Sequence, residues 1–324
     1  MTLPSSGAIS LNDVNVELGN SGTASIDMNS SDVRTLFGIA SGEIEMADGY
    51  GKSAFTGYIA TGGTITTDGN YKVHTFTSSG TFSVSQVGEE SADWLVIAGG
   101  GTGGLGGTTS ATSIDRGGGG GAGGLRTSYG STSGGGASAE SNVSFTVSNY
   151  TITVGAGGAR TNNGSVGGVS SISGSGVSIS TVGGGKGGYN YATAYSGSSG
   201  GSGGGTSRGV LGGTGGAGTA GQGYAGGPRD GVQGDYWASA GGGAAAQGAA
   251  NSTSAGTGGG AGLAVSITGS SVTYAKGGNT GIGTSIVNGG ANTGEGGQGG
   301  YYNSNYTGMG NGGSGIVVIR YRFQ

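Results

Sequence analysis

The chain has 324 residues, enough for one large domain or two smaller ones. Glycine supplies 88 of them and proline only 2; charged residues make up 9% and the net charge is -4. So few prolines and a broken glycine period exclude collagen. The 32% apolar fraction, gathered in short segments, and so weak a net charge argue against a disordered tract.

There is no cysteine, which excludes disulfides and thiolate metal sites. Twelve Lys+Arg against 16 Asp+Glu, without a basic cluster, argue against nucleic-acid binding. The start MTLPSSGAIS has neither a basic n-region nor an apolar h-region, so no secretory signal is expected. The longest apolar runs, Trp94 to Ala98 and Ile316 to Ile319, fall far short of the roughly 20 residues that span a bilayer. A soluble protein made in a cytoplasm is expected.

Composition changes near residue 57. Residues 1–57 form a small module with a degenerate repeat: Ser6-Gly7-Ala8-Ile9-Ser10-Leu11-Asn12-Asp13, then Ser21-Gly22 onward, then Ser41-Gly42-Glu43-Ile44-Glu45-Met46-Ala47-Asp48. Each copy reads as a short extended segment entering a turn or helix. Asn12 or Asp13 is placed to cap Val14 to Leu18, with Gly19 as the stop; Ser31 or Asp32 is placed to cap Val33 to Phe37, stopped by Gly38. So small a module gains stability by docking, either on a partner or as a cap on the next domain.

Residues 58–324 form the glycine-rich domain. Strands are expected at Tyr71 to Phe76, Thr81 to Val84, Trp94 to Ala98, Val143 to Val147, Tyr150 to Val154, Val177 to Val182, Leu263 to Ile267 and Ile316 to Phe323. Between them glycine recurs every third residue, as at 100, 103 and 106, at 117, 120 and 123, and at 294, 297 and 300. Three is the period of the polyproline II helix, which has no internal hydrogen bonds. Buried copies must therefore pair with neighbours, which approach closely only where no Cβ intervenes. Gly212 to Gly221 reads as one such rod, spanning about 31 Å. The expected class is mainly β with polyglycine II helices: a small N-terminal α+β anchoring module, then strands at 71–98, 143–154 and 316–323 around the glycine runs.

Gly80-Thr81-Phe82, Trp94 to Gly101, Gly117 to Leu125, Thr151 to Gly158 and Gly312 to Tyr321 occur in this order. Together they resemble the glycine-rich domain of bacteriophage tail proteins. The N-terminal repeat, with Asp48-Gly49-Tyr50-Gly51-Lys52-Ser53, looks like the leader found on many such proteins. The resemblance implies a virion tail protein, made in the host cytoplasm and attached to other tail or baseplate proteins through residues 1–57. Related tail-fibre adhesins fold as a polyglycine sandwich whose apex loops touch a bacterial outer-surface protein or glycan. This chain departs from them by its leader and by fewer clean ten-residue glycine helices. A homotrimer fits tail-fibre symmetry by analogy. Similar domains in animal receptor ectodomains carry cysteines and signal peptides.

Candidate chemistry is sparse. Gly99-x-Gly101-x-x-Gly104 matches a dinucleotide fingerprint, but Leu105-Gly106-Gly107-Thr108-Thr109-Ser110 cannot supply the helix that must follow. Gly51-Lys52-Ser53 lacks the P-loop glycine at position 46, which is Met. His74, the one histidine, reads as a strand-surface imidazole. Glu89, Glu90 and Asp93 read as a solvated loop. No enzyme, cofactor or metal is therefore expected. Aromatic clusters in polar glycine-rich loops are the functional signal: Tyr189, Tyr191 and Tyr195; Tyr236 and Trp237 beside Arg229, Asp230 and Asp235; and Tyr301, Tyr302 and Tyr306 with Asn303 and Asn305. Such rings either contact a receptor or lie as lids over glycine helices. The leading function is host-surface adhesion by a tail fibre or tail tip; the alternative is a purely structural tail or baseplate component, a spacer or decoration. Ice binding by a flat glycine bundle is a third class, disfavoured by the irregular repeats.

Overall fold

The computed structural model describes residues 2–54, 56–106, 115–161, 163–189, 196–207, 213–229, 237–250, 258–281, 285–303 and 306–323. The chain is mainly β. Two short helices, α1 (Leu11–Glu17) and α2 (Ser31–Phe37), open it. The strands follow: β1 (Ile59–Thr61), β2 (Thr64–Asp68), β3 (Tyr71–Phe76), β4 (Gly80–Gln86), β5 (Asp93–Ile97), β6 (Asp115–Arg116), β7 (Leu125–Thr127) and β8 (Ser148–Thr153). Beyond these come β9 (Ser170–Gly174), β10 (Val177–Thr181), β11 (Leu263–Val265), β12 (Val272–Tyr274), β13 (Tyr301–Asn303), β14 (Tyr306–Gly308) and β15 (Ile316–Arg322).

In the N-terminal module, Leu3, Val14, Val33, Leu36 and Phe37 make a small core of their own. Its extended ends meet through two backbone bonds, Leu3 to Lys52 at 2.9 Å and Gly51 to Pro4 at 3.0 Å. The helix caps differ from expectation by a residue or more. Ser10 caps α1, with Asp13 completing a capping box as its third helical residue. Ser30 caps α2, and Gly38 closes it in the left-handed region at φ 73°. Glu45 and Asp48 repeat the box at a 3-10 turn, Met46–Gly49. The first and third copies of the repeat are thus two capping boxes in the same frame. An Asn12 or Asp13 cap fails because Asp13 is needed inside the first turn, where its carboxylate accepts the Ser10 amide at 2.8 Å.

Ten strands build a sandwich of two antiparallel five-stranded sheets, ordered β1-β4-β8-β9-β10 and β2-β3-β15-β5-β7. Phe82, Val84, Tyr150, Ile152, Ile172 and Ile179 of the first sheet meet Phe76, Trp94, Val96, Val317, Ile319 and Tyr321 of the second. The first sheet alternates, with Thr81, Thr151, Ser173 and Ser178 facing outward. The second is covered on both faces at β5 and β15, which explains the unbroken apolar run of β15. Its Val317 and Ile319 face the sandwich core, while Ile316 and Val318 join Leu95, Ile97, Leu125, Ile267 and Tyr274 on the other side.

The segment 143–147 is not a strand. Val143 makes one bridge to Ala92, and beyond it the amides of Phe145 and Thr146 donate to the hydroxyls of Tyr58 at 3.1 Å and Tyr150 at 2.8 Å. Buried tyrosine oxygens take the donors that a ladder would have used.

The glycine runs are rods held by their neighbours. From 98 to 104, the amides of residues 98, 101 and 104 donate to Gly124, Gly121 and Gly118; those of 99 and 102 donate to Gly168 and Ser165; those of 100 and 103 donate to Gly313 and Gly310. Each third amide returns to the same neighbour, as a threefold helix requires. The rod 117–124 lies at the centre of this packing. It donates to 294–300, 182–188 and 239–242, and accepts from 98–104, 202–205 and Gly278. Every residue of it is buried. A Cβ at Gly104 would land on the Gly188 carbonyl, so the spacing excludes side chains.

The expected ten-residue rod from Gly212 to Gly221 is shorter. Gly212 lies outside the described residues, and the chain turns at Thr219, whose carbonyl accepts from Gln222 at 3.0 Å, with Gly221 at φ 72°.

The molecule has a polarity. β15 leaves the rods at Gly315 and runs about 24 Å along the sandwich. At its far end Arg322 pairs with Glu90 at 3.0 Å, and Glu89 and Thr56 exchange backbone and side-chain bonds at 2.9 and 3.0 Å. The N-terminal module therefore docks on the sandwich end opposite the rods.

Candidate functional site

Where the chain enters the central rod, its first amides fix three other segments. Gly117 donates to Gly300 at 2.9 Å, Gly118 to Gly188 at 2.9 Å and Gly119 to Ser239 at 3.0 Å. Gly300 immediately precedes Tyr301, Gly188 precedes Tyr189, and Ser239 follows Trp237 by two residues. The segment bearing one member of each expected aromatic cluster is thereby drawn to the end of the bundle that holds the residue preceding Gly117. That residue is Arg116.

Its guanidinium carbon lies 3.7 Å from the Trp237 ring centroid and 5.8 Å from that of Tyr301. β6 pairs with β13 in a register that sets Arg116 opposite Tyr301, and β13 pairs in turn with β14. Arg116, Trp237 and Tyr301 are all half-buried. The Arg116 Nε and Nη1 atoms are buried and make no hydrogen bond. Burial pulls the guanidinium pKa below its ordinary value; proximity to Tyr301 opposes this. On the neighbouring rod, Lys186 lies 5.4 Å from the Tyr189 ring centroid and donates to the Asn163 carbonyl at 2.9 Å.

Of the expected site residues, Trp237 and Tyr301 thus converge on Arg116, while Tyr189 follows a residue bonded to the same rod end. Tyr302, Asn303 and Tyr306 belong to the β13–β14 pair, where Asn303 faces Tyr306 in register. Arg229 is buried, with its amide on the Gly213 carbonyl at 3.1 Å. Tyr191, Tyr195, Asp230, Asp235, Tyr236 and Asn305 lie outside the described residues. Sequence reasoning missed Arg116. The available signal was a lone cation set directly before the glycine run 117–121 in a chain poor in charge.

Two other expectations are corrected. His74 is not a surface imidazole but fully buried, between the Gly62 carbonyl and the Tyr321 hydroxyl, each 2.8 Å away. Glu89 and Glu90 do lie exposed in a loop, where they bind Thr56 and Arg322, but Asp93 begins β5 half-buried, which raises its pKa. The fingerprint glycines 99, 101 and 104 lie in a buried rod, and no helix follows them among the described residues.

Among the described residues no helix is long and apolar enough to cross a membrane, and no group of three His, Cys, Asp or Glu side chains is placed to hold a metal ion. Comparison with curated proteins finds no match. The glycine-rich domain family matches residues 76–322, from the end of β3 through β15, and the chain belongs to that family.

Proposed function

We propose that this protein is a bacteriophage tail-fibre or tail-tip component, held in the virion tail by residues 1–57, that recognises a bacterial surface protein or glycan with the distal end of its glycine rods. The observation that carries this reading is the convergence of Trp237 and Tyr301 on Arg116, with the segment bearing Tyr189 bonded to the same rod end, opposite the N-terminal module. Rings held on hydrogen-bonded rods offer a large contact area at little entropic cost. An anchor at one end and displayed rings at the other is the arrangement that attachment needs. The order of glycine and strand motifs supports the phage assignment. The reading gives the chain no catalysis, cofactor or nucleic-acid role; a homotrimer follows by analogy with tail fibres.

A purely structural tail or baseplate role draws support from the central rod, whose amides are paired along its length and which suits a stiff spacer. Adhesion separates the two. Labelled protein is applied to a panel of bacterial strains, and the double variant Trp237→Ala, Tyr301→Ala is compared at equal thermal stability. Adhesion to some strains, reduced at least tenfold in the variant, is expected. Equal adhesion by the two proteins, or none to any strain, leaves the structural role.

A further inference from the structure

The segments bearing Trp237 and Tyr301 meet at a cation that has no acidic partner among the described residues. The Arg116 Nε and Nη1 atoms are withdrawn from water and make no hydrogen bond. A guanidinium removed from solvent without a counter-charge is costly, and such groups are ordinarily paired. The other arginines of the sandwich illustrate this: Arg126 pairs with Glu140, Arg320 with Asp68 and Arg322 with Glu90. Among the described residues, the half-buried Arg116 at the distal end is instead set against the rings of Trp237 and Tyr301. The ring contact fixes the guanidinium plane, with Trp237 at 3.7 Å. Stacking occupies a face of the guanidinium, and with Nε and Nη1 closed off, Nη2 is the nitrogen left to donate to an oxyanion.

We infer that Arg116, gripped by Trp237 and Tyr301, anchors an oxyanion-binding site, and that the surface ligand of this protein carries an acidic group, a sugar carboxylate or a phosphate. The inference rests on the adhesive reading of the same end and adds the chemistry of what is recognised. Trp237 supplies a platform for an apolar sugar face beside the charge, and Arg116 reads the acid.

The test is titration of the full-length protein with glucuronate, with inorganic phosphate and with neutral glucose, followed by the indole N–H resonance of Trp237. Saturable shifts are expected with glucuronate or phosphate and not with glucose, weakening as salt is raised. Response to glucuronate alone assigns a sugar carboxylate; response to phosphate alone assigns a phosphate. Arg116→Gln is expected to weaken binding at least tenfold, and Arg116→Lys also to weaken it, because the charge remains while the planar group held on Trp237 is lost. Absence of saturation with both anions in the wild-type protein overturns the inference whether or not the variants fold, as does undiminished binding by Arg116→Gln. Adhesion that depends on Trp237 and Tyr301 without anion binding removes this site chemistry and spares the adhesive reading. Anion binding by a protein that adheres to no strain does the reverse.

Discussion

His74 is closed off from solvent in the second sheet, and its two bonds fix its state. The Gly62 carbonyl can only accept, so Nδ1 carries the proton and Nε2 accepts the Tyr321 hydroxyl. The ring packs edge-on against Phe82 at 5.0 Å. Burial holds its pKa below the ordinary 6.5, with the charge of Lys72 adding to the effect and the Gly62 bond opposing it. The folded-state pKa is depressed, so the contribution of neutral His74 to stability is complete above pH 6.5 and is lost as pH falls from there through the folded-state value. Tyr321, with its own pKa pushed up to about 12 by burial, stays neutral across that window. Urea midpoints measured against pH are expected to fall more steeply below pH 6.5 in the wild type than in His74→Gln; parallel curves would refute the assignment. The sequence misled here for a physical reason. Alternation along Tyr71 to Phe76 places His74 on a polar face only if one face of the sheet meets water. His74 lies instead on the inner face with Phe76, closed by Phe82 and Tyr321, while the glycine rods and the β11–β12 hairpin cover the opposite face, which carries Val73.

At the scale of the element, the rod 117–124 was largely legible, because a period of three with no side chains admits few other structures. Its one alanine tells which way it faces. The Ala122 methyl lies in the apolar cluster with Leu95, Ile97 and Leu125, whereas a Cβ at Gly121 would meet the carbonyls of Ser202 and Gly203. Neighbouring positions therefore respond in unlike ways to the same one-carbon change. Gly121→Ala is expected to destabilise by about 1–3 kcal/mol, since packed backbone must move apart. Ala122→Gly is expected to cost about 1 kcal/mol through the lost methyl. Chemical denaturation of the two variants decides it, and a neutral Gly121→Ala would mean that the rods are not in backbone contact. Rod ends were less legible. The turn at Thr219 to Gln222 interrupts a run whose glycine period continues to 221, because a hydrogen-bonded turn and a rod draw on the same glycines.

For the whole molecule, three layers are strung along one axis: the module core, the sandwich core and the rod network. Bonds within the central rod go to other rods, so none of its amides opens without displacing a neighbour. Amide exchange at Gly117 to Gly124 is therefore expected to be as slow as in β15, proceeding only through global unfolding. Exchange at free-peptide rates in this rod would show that the bundle is not a cooperative part of the fold.

The sequence by itself determined the class of structure: the absence of disulfides, the helical turns of the module, most sandwich strands and the threefold glycine rods. Each of these depends on local composition and period. The tertiary structure alone decided that Trp237 and Tyr301 meet at Arg116, with the segment of Tyr189 bonded to the same rod end. Those residues are separated by tens of positions in the chain, and hydrogen bonds from three successive amides of one rod, with the β6–β13 pairing, bring their segments together. No local pattern encodes which rod lies beside which, because glycine backbone offers every neighbour the same donors and acceptors.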